Sequence, residues 1–241
     1  MSPGSVVLAY LHPAEVGHNF CQSLLESTIF DFGHDQRVGS YLAMRTSSAG
    51  IVEGRNSVVR QFLDGPGDWL WWVDADMGFA PDALYGLLAV ADPSAAPVVG
   101  GLCFAWKETV VDGLQGFRCE ARPTIFDYVD VGTGRKFTGR TSYDADTVTR
   151  CDATGSAMIL IHRTALQAVR DKFGDVWYER IPTPDGQIGE DISFCARLGA
   201  LGIPIHVNTA VRTNHLKHVW VSDVDFPAES ARRTDVDVIS A

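Results

Sequence analysis

No run of apolar residues in this 241-residue chain approaches the roughly 18 that cross a bilayer, so no spanning helix is expected. The opening MSPGSVVLAYLHP lacks a basic n-region, and its apolar segment is too short for a signal peptide. It reads as a first strand, and the expected place of action is the cytoplasm. The five cysteines, Cys21, Cys103, Cys119, Cys151 and Cys195, are odd in number, widely spaced and without a C-x-x-C pair. That excludes a small disulfide framework and points to reduced thiols. Positive charge is also scarce: 20 basic residues stand against 30 acidic ones, a formal net charge of −10, with no basic run of five or six. The densest clusters, Arg232-Arg233 and the stretch Arg135–Arg140, read as solvated loops. A phosphate-binding surface spread over the whole protein is therefore excluded, and a nucleic-acid partner would need a local patch. There is no Walker sequence, no G-x-G-x-x-G fingerprint and no internal repeat.

What remains is a folded composition, 46% hydrophobic and 21% charged. The length suits one large domain that buries roughly 70–75% of its unfolded surface. Ser5–Leu11 is a continuous apolar run, as a strand buried on both faces requires. A helix is expected from Ala14 to about Phe30, with Phe20, Leu24 and Leu25 at helical spacing, and a second over Ile51–Leu63. In the second, Arg55, Val59 and Phe62 share one side, which aims Arg55 along the packed face toward a cleft edge. Trp69–Val73 is another buried strand, Pro81 opens a helix over Asp82–Val90, and Pro97–Phe104 is a strand again. Strand and helix alternate here, which predicts right-handed crossovers and a mostly parallel sheet.

From Trp106 to Thr149 the pattern changes to short β-like runs and turns at Gly132, Gly134 and Gly139, predicting a small antiparallel sheet with loops that read an acceptor. A strand over Ala157–Ile161, helices over Thr164–Lys172 and Gly189–Leu201, and a strand over Ile203–Val207 follow. Residues 1–220 are expected to form a single domain, and 221–241 a tail without periodicity.

Ligands of open α/β sheets bind at the carboxyl ends of parallel strands, and Asp74 and Asp76 stand just past Trp69–Val73. Two carboxylates one residue apart at a turn can both face Mg²⁺ or Mn²⁺, with a diphosphate filling other positions. Spacing alone decides nothing, because D-x-D recurs at Asp144-Ala145-Asp146, Asp223-Val224-Asp225 and Asp235-Val236-Asp237. None of those follows a buried strand, and solvated turns explain them.

The stretch GRNSVVRQFLDGPGDWLWWVDADMGFAPDALYGLL resembles the first half of a GT-A glycosyltransferase catalytic domain: an Arg-Asn helix, a hydrophobic strand, D-x-D and a Pro-opened helix. CDATGSAMILIHRTAL and GEDISFCARLGALGIPIHVNTAVRTNHLKH are similar, in order, to its later blocks, including the x-E-D helix and a histidine that completes the metal shell. The resemblance spans roughly residues 5 to 220, the middle third in type only. It implies a Rossmann-like three-layer α/β/α fold and sugar transfer from a nucleotide-diphosphate sugar, a UDP- or GDP-sugar, to an acceptor hydroxyl, with Mn²⁺ or Mg²⁺.

By that resemblance, Asp76, Asp74 and His215 hold the ion, Asp76 most directly, and Asp74 is shared with the ribose. His218, three residues beyond His215, could complete the ion site in its place or serve as a lid or loop residue. Asp191 is the general base of an inverting enzyme or an acceptor-orienting carboxylate of a retaining one, with Glu190 beside it. Both acids also suit a helix N-terminus through its dipole. Tyr10 and His12 border the base, Arg55 contacts the diphosphate, and Asp152, Gly155 and Ser156 flank the donor sugar. Trp177, with Tyr178, offers a stacking surface or lid for a sugar, although core packing explains both nearly as well.

Two other enzyme classes carry similar acids. Haloacid-dehalogenase phosphatases place D-x-D at their first strand, normally with Thr or Val where this chain has Gly78, whereas a strand and two helices precede it here. A sugar nucleotidyltransferase shares the α/β core, but no Gly-rich phosphate loop follows Leu11. A silent sugar-binding module would need an incomplete metal shell. The acceptor is open among a protein side chain, a modified nucleobase, a glycan and a small molecule, and the oligomeric state is unread.

Overall fold

The computed structural model describes residues 4–46, 50–110, 117–132, 135–183 and 186–217. His218 and the expected tail lie outside these residues. In chain order the elements begin β1 (Val6–His12), α1 (His18–Phe32), β2 (Val38–Arg45), α2 (Gly50–Asp64), β3 (Trp69–Val73), β4 (Met77–Phe79), α3 (Ala83–Leu88) and β5 (Val98–Leu102). The middle holds β6 (Phe104–Val110), β7 (Phe117–Pro123), β8 (Ile125–Asp130), β9 (Arg135–Gly139), β10 (Val148–Cys151) and β11 (Ala153–Thr154). The chain continues with β12 (Met158–His162), α4 (Arg163–Phe173), β13 (Ile181–Thr183), β14 (Gly186–Ile188), α5 (Glu190–Ala200) and β15 (Ile205–His215). The described residues divide into two units, those within 1–105 and 122–216 and those within 106–121 with 217. The first carries the central sheet and every candidate residue discussed below.

The sheet order is β10-β15-β5-β12-β3-β1-β2, with β4 paired to the far end of β15. Strands β1, β2 and β3 are mutually parallel, as are β5 and β15, and β12 runs antiparallel between β3 and β5. The fold is therefore α/β with a mixed central sheet, less uniformly parallel than the strand-helix alternation suggests. The reason is the route into β12. It is reached directly from the short strand β11 without a helical crossover, so it enters from the opposite end of the sheet. The antiparallel middle region is present as β11-β8-β9, and β13-β14 and β6-β7 form separate two-stranded pairs.

Both faces of the sheet are covered, which explains why β3, WLWWV, has no polar position. Alternate residues serve opposite cores. Leu70 and Trp72 pack with Val58, Val59 and Phe62 of α2 and with residues of α4 and α5. Trp69, Trp71 and Val73 pack with Phe20 of α1 and Leu84 and Leu87 of α3. A Trp buried to this extent removes about 200 Å² from water and contributes on the order of 5 kcal/mol before entropic costs. Helix α2 lies close to β1 because residue 54 is glycine: a Cβ there would sit 2.7 Å from Leu11 Cδ1. Gly202, at φ +70°, closes α5 in a conformation that L side chains rarely adopt. Cys103, Cys151 and Cys195 are buried free thiols. No helix among the described residues is long and apolar enough to cross a membrane.

Strand β2 is absent from the sequence reading. Its start is held by Asp31, whose buried carboxylate accepts the amides of Arg37 (2.8 Å) and Val38 (3.1 Å) and the hydroxyl of Tyr85 (2.9 Å). One side chain thus ties the end of α1 to β2 and α3. Asp31→Ala strands those three donors, and urea unfolding is expected to show a loss of about 2–3 kcal/mol.

Candidate active site

The chain leaves β3 through a tight turn in which the Met77 amide donates to the Asp74 carbonyl at 3.1 Å. Asp74 and Asp76 therefore flank the turn, and β4 follows at once. The register of β4 against β15 pairs Phe79 with Thr213, Gly78 with Asn214 and Met77 with His215. The Leu216 amide continues this ladder onto the Asp76 carbonyl at 2.9 Å. Backbone pairing alone thus carries His215 to the second aspartate, although 139 residues separate them. His215 Nε2 lies 3.0 Å from Asp76 Oδ2, and Nδ1 lies 2.8 Å from the Phe104 carbonyl. A carbonyl accepts only, so Nδ1 carries a proton; Nε2 faces the Asp76 carboxylate, donates to it when protonated, and is the nitrogen that could turn a lone pair to a cation once that proton leaves. The Asp76 and His215 side chains are 42% and 20% exposed, respectively. The Nδ1–H bond to a backbone carbonyl fixes the ring's orientation, as it does in metal-binding histidines.

Asp74 has different neighbours. Arg55 Nη2 donates to both of its oxygens at 3.0 Å, and the Trp72 indole N–H donates to Oδ1 at 2.9 Å. Arg55 is only 3% exposed, and its guanidinium stands 5.3 Å from the ring centroids of both Trp72 and Tyr178. It is buried in the packed face of α2 rather than standing at an open edge. Its buried Nε and Nη1 have no hydrogen-bond partner. Burial pushes the guanidinium pKa down, but Asp74, Tyr178, Glu190 and Asp191 act the other way and leave it raised. The next residue, Asn56, fastens the chain behind it: Oδ1 accepts the amides of Trp177 (3.0 Å) and Tyr178 (2.9 Å), and Nδ2 donates to the Tyr178 carbonyl (2.9 Å).

The x-E-D acids open α5 after Gly189. Asp191 Oδ1 accepts the Ile192 amide at 2.8 Å. Burial holds its carboxyl above the usual range; Arg55 and the Ile192 amide oppose this, and Glu190 and Asp74 add to it. Glu190 is 16% exposed and lies 3.7 Å from Arg180 Nε. The structure therefore brings Asp74, Glu190 and Asp191 around one buried guanidinium, with Asp76 and His215 on the outer side of the same turn.

No protein-family profile matches the sequence, and no curated protein matches it. Among solved structures, the chain is similar to the crystal structure of A197 from STIV, with a TM-score of 0.53, 13% identity, and 88% of this chain and 86% of that one covered. It is also similar to the crystal structure of GalNAc-T7 with UDP, GalNAc and Mn²⁺, with a TM-score of 0.51, 11% identity and 89% of this chain covered. The fold is of the GT-A type. The chain spans 44% of the GalNAc-T7 chain, and identities this low bear on the fold alone.

On this GT-A scaffold the remaining expected residues divide. Tyr10 and His12 are half-buried at the end of β1, their rings 6.0 Å apart, at the sheet end that carries Asp74. Gly155 is explained by packing, since a Cβ there would lie 3.3 Å from Thr124 Oγ1. Ser156 Oγ is buried against the Tyr178 phenol, but neither hydroxyl completes a well-formed hydrogen bond. Asp152 accepts the Tyr128 amide at 2.7 Å and lies on a separate cleft beside α5. Trp177 offers no stacking surface: it is fully buried, its indole N–H donating to the Leu166 carbonyl at 2.8 Å. Asp74, expected as a second ion ligand, is tied to Arg55 and Trp72. No cluster of three or more His, Cys, Asp or Glu side chains placed to hold a metal occurs among the described residues. Asp76 and His215 fit an ion that takes its remaining oxygens from phosphate and water, as Mg²⁺ does.

The role of Trp72 went unread, since a buried strand Trp looks like core. The signal was there: Trp72 and Asp74 share a strand face, and a buried indole N–H needs an acceptor.

The raised carboxyl of Asp191 fixes a sign. Its contribution to stability is fully present below the ordinary carboxylate range, near pH 4, and is lost as pH rises through its higher folded value. Asp191→Asn is therefore expected to raise the thermal midpoint at pH 7 and leave it nearly unchanged near pH 4; a lowered midpoint at pH 7 would contradict the burial argument.

Proposed function

We propose that this chain is a metal-dependent glycosyltransferase that moves a sugar from a nucleotide-diphosphate sugar to an acceptor hydroxyl. The observation that carries the reading is the β4–β15 register, which sets His215 Nε2 3.0 Å from Asp76 at a strand end of a GT-A fold. Asp76 and His215 would hold Mn²⁺ or Mg²⁺, and the ion, when bound, supplies charge neutralisation for the departing nucleoside diphosphate.

The protein groups have separate tasks. Asp74, fixed by Arg55 and Trp72, is aimed rather than mobile and is assigned to the donor's ribose. Arg55 acts through Asp74 and the α5 acids, so it is a positioning residue and not a diphosphate contact. Tyr10 and His12 are assigned to the base. In the transfer the acceptor oxygen bonds to the anomeric carbon, the bond from that carbon to the diphosphate oxygen breaks, and the hydroxyl proton leaves. Asp191 is assigned to take that proton: its burial disfavours the charged form, which raises its basicity. The reading extends to a UDP- or GDP-sugar as donor. The phosphatase reading loses ground because D-x-D follows the third strand of the chain, not the first.

Hydrolysis of a panel of UDP-, GDP- and TDP-sugars with and without Mn²⁺ tests this. At least one donor is expected to turn over with Mn²⁺ alone, and Asp76→Ala to lower that rate by about 100-fold or more. Cleavage of a simple phosphoester with no response to any sugar nucleotide would overturn the reading.

A further inference from the structure

A cleft of about 910 Å³ opens on the flank of α5, apart from the Asp76–His215 pair. One wall is the small sheet, where Phe126 and Tyr128 alternate onto one face and Phe137 pairs directly opposite Tyr128. The rings of Tyr128 and Phe137 stand 4.8 Å apart, and Tyr128 is 39% exposed. The other wall is α5 at Ile192, Ala196, Gly199 and Ala200. An aromatic sheet face ordinarily closes onto a helix. Here, beyond Ile192, the helix offers only the small residues Ala196, Gly199 and Ala200, and a Cβ at Gly199 would meet nothing within 4 Å, so a slot remains. Exposed Lys136 and Arg150 stand at the cleft in a chain of net charge −10. The acid beside them, Asp152, is committed to the Tyr128 amide. The cleft also includes Gly189, the residue before Glu190 and Asp191, so it reaches the turn that carries the assigned base.

We propose that this cleft is the acceptor site and that it selects an acceptor combining a flat aromatic group with an anionic one, an assignment that rests on the glycosyl-transfer reading. The ring lies between Tyr128 and Phe137 on one side and Ala196 and Gly199 on the other. Lys136 and Arg150 hold the anion, and the acceptor hydroxyl is delivered at the Gly189 end. Ring stacking and a paired charge together explain a slot lined this way, whereas a neutral glycan would leave the two cations without use.

The probe is 8-anilinonaphthalene-1-sulfonate, an aromatic anion, titrated by fluorescence against the whole chain. Saturable binding at one site is expected. Gly199→Trp, which fills open space on a helix that tolerates the change, is expected to weaken it by about tenfold or more. Lys136→Glu is expected to weaken it by about threefold, less at high salt. An unchanged thermal midpoint of Gly199→Trp is the folding control. Equal probe affinity in the native chain and Gly199→Trp overturns the site, whatever the donor assay shows. Equal affinity in Lys136→Glu, with competition by neutral 4-nitrophenyl glucoside, overturns the anionic part. Absence of donor hydrolysis by the native chain, with probe binding intact, overturns the acceptor role through the transfer reading and leaves a ligand site.

Discussion

A guanidinium removed from water is the constraint around which this protein is arranged. Leaving the Arg55 charge uncompensated in the core would cost several kcal/mol, so carboxylates must come to it. They come from different parts of the chain: Asp74 from the end of β3, and Glu190 and Asp191 from the first turn of α5. Trp72 and Tyr178 supply ring faces, and Asn56, one residue on, pins the backbone that carries Tyr178. The same contacts that make the cation tolerable therefore position the acids of the candidate site. Each acid's chemistry follows from its distance to water: Asp74 is anchored, Asp191 is pushed toward its neutral form, and Asp76 is left open to solvent.

The second half of the site is built by backbone. Three residues of β4 pair with the end of β15, and this short ladder fixes both ends of the Asp76–His215 contact. The Phe104 carbonyl then sets the imidazole tautomer. In the proposed reading this pair would supply part of a coordination shell that a diphosphate completes. The division of labour is physical: buried charge organises the inner carboxylates, and strand register organises the Asp76–His215 pair.

Much of this was legible in the residues. The five-residue strand Trp69–Val73 stands where its apolar run places it, and position after a buried strand separates Asp74-Ala75-Asp76 from the other D-x-D matches. Arg55, Val59 and Phe62 share the buried face of α2 that their spacing predicts. What was not legible depends on distant partners. β15 reads as ending at Val207 because VNTAVRTNH mixes Asn and Thr into the run, yet it continues to His215 by pairing with β10, β5 and β4 in turn. The direction of β12 follows from how the chain reaches it, not from its apolar pattern. Trp177 looks like a binding aromatic until its indole finds the Leu166 carbonyl. The aromatic slot beside α5 escapes a linear reading because its walls come from residues 126–137 and 192–200.

The central claim is that Asp76, His215 and a nucleoside diphosphate share one divalent ion. Mn²⁺ binding, measured by electron paramagnetic resonance of the free ion with and without UDP or GDP, tests it most directly. Weak binding to the protein alone is expected, strengthening by about tenfold or more with one nucleoside diphosphate, with loss of that gain in His215→Ala. Mn²⁺ affinity that responds to neither the nucleoside diphosphate nor the His215 substitution would contradict it.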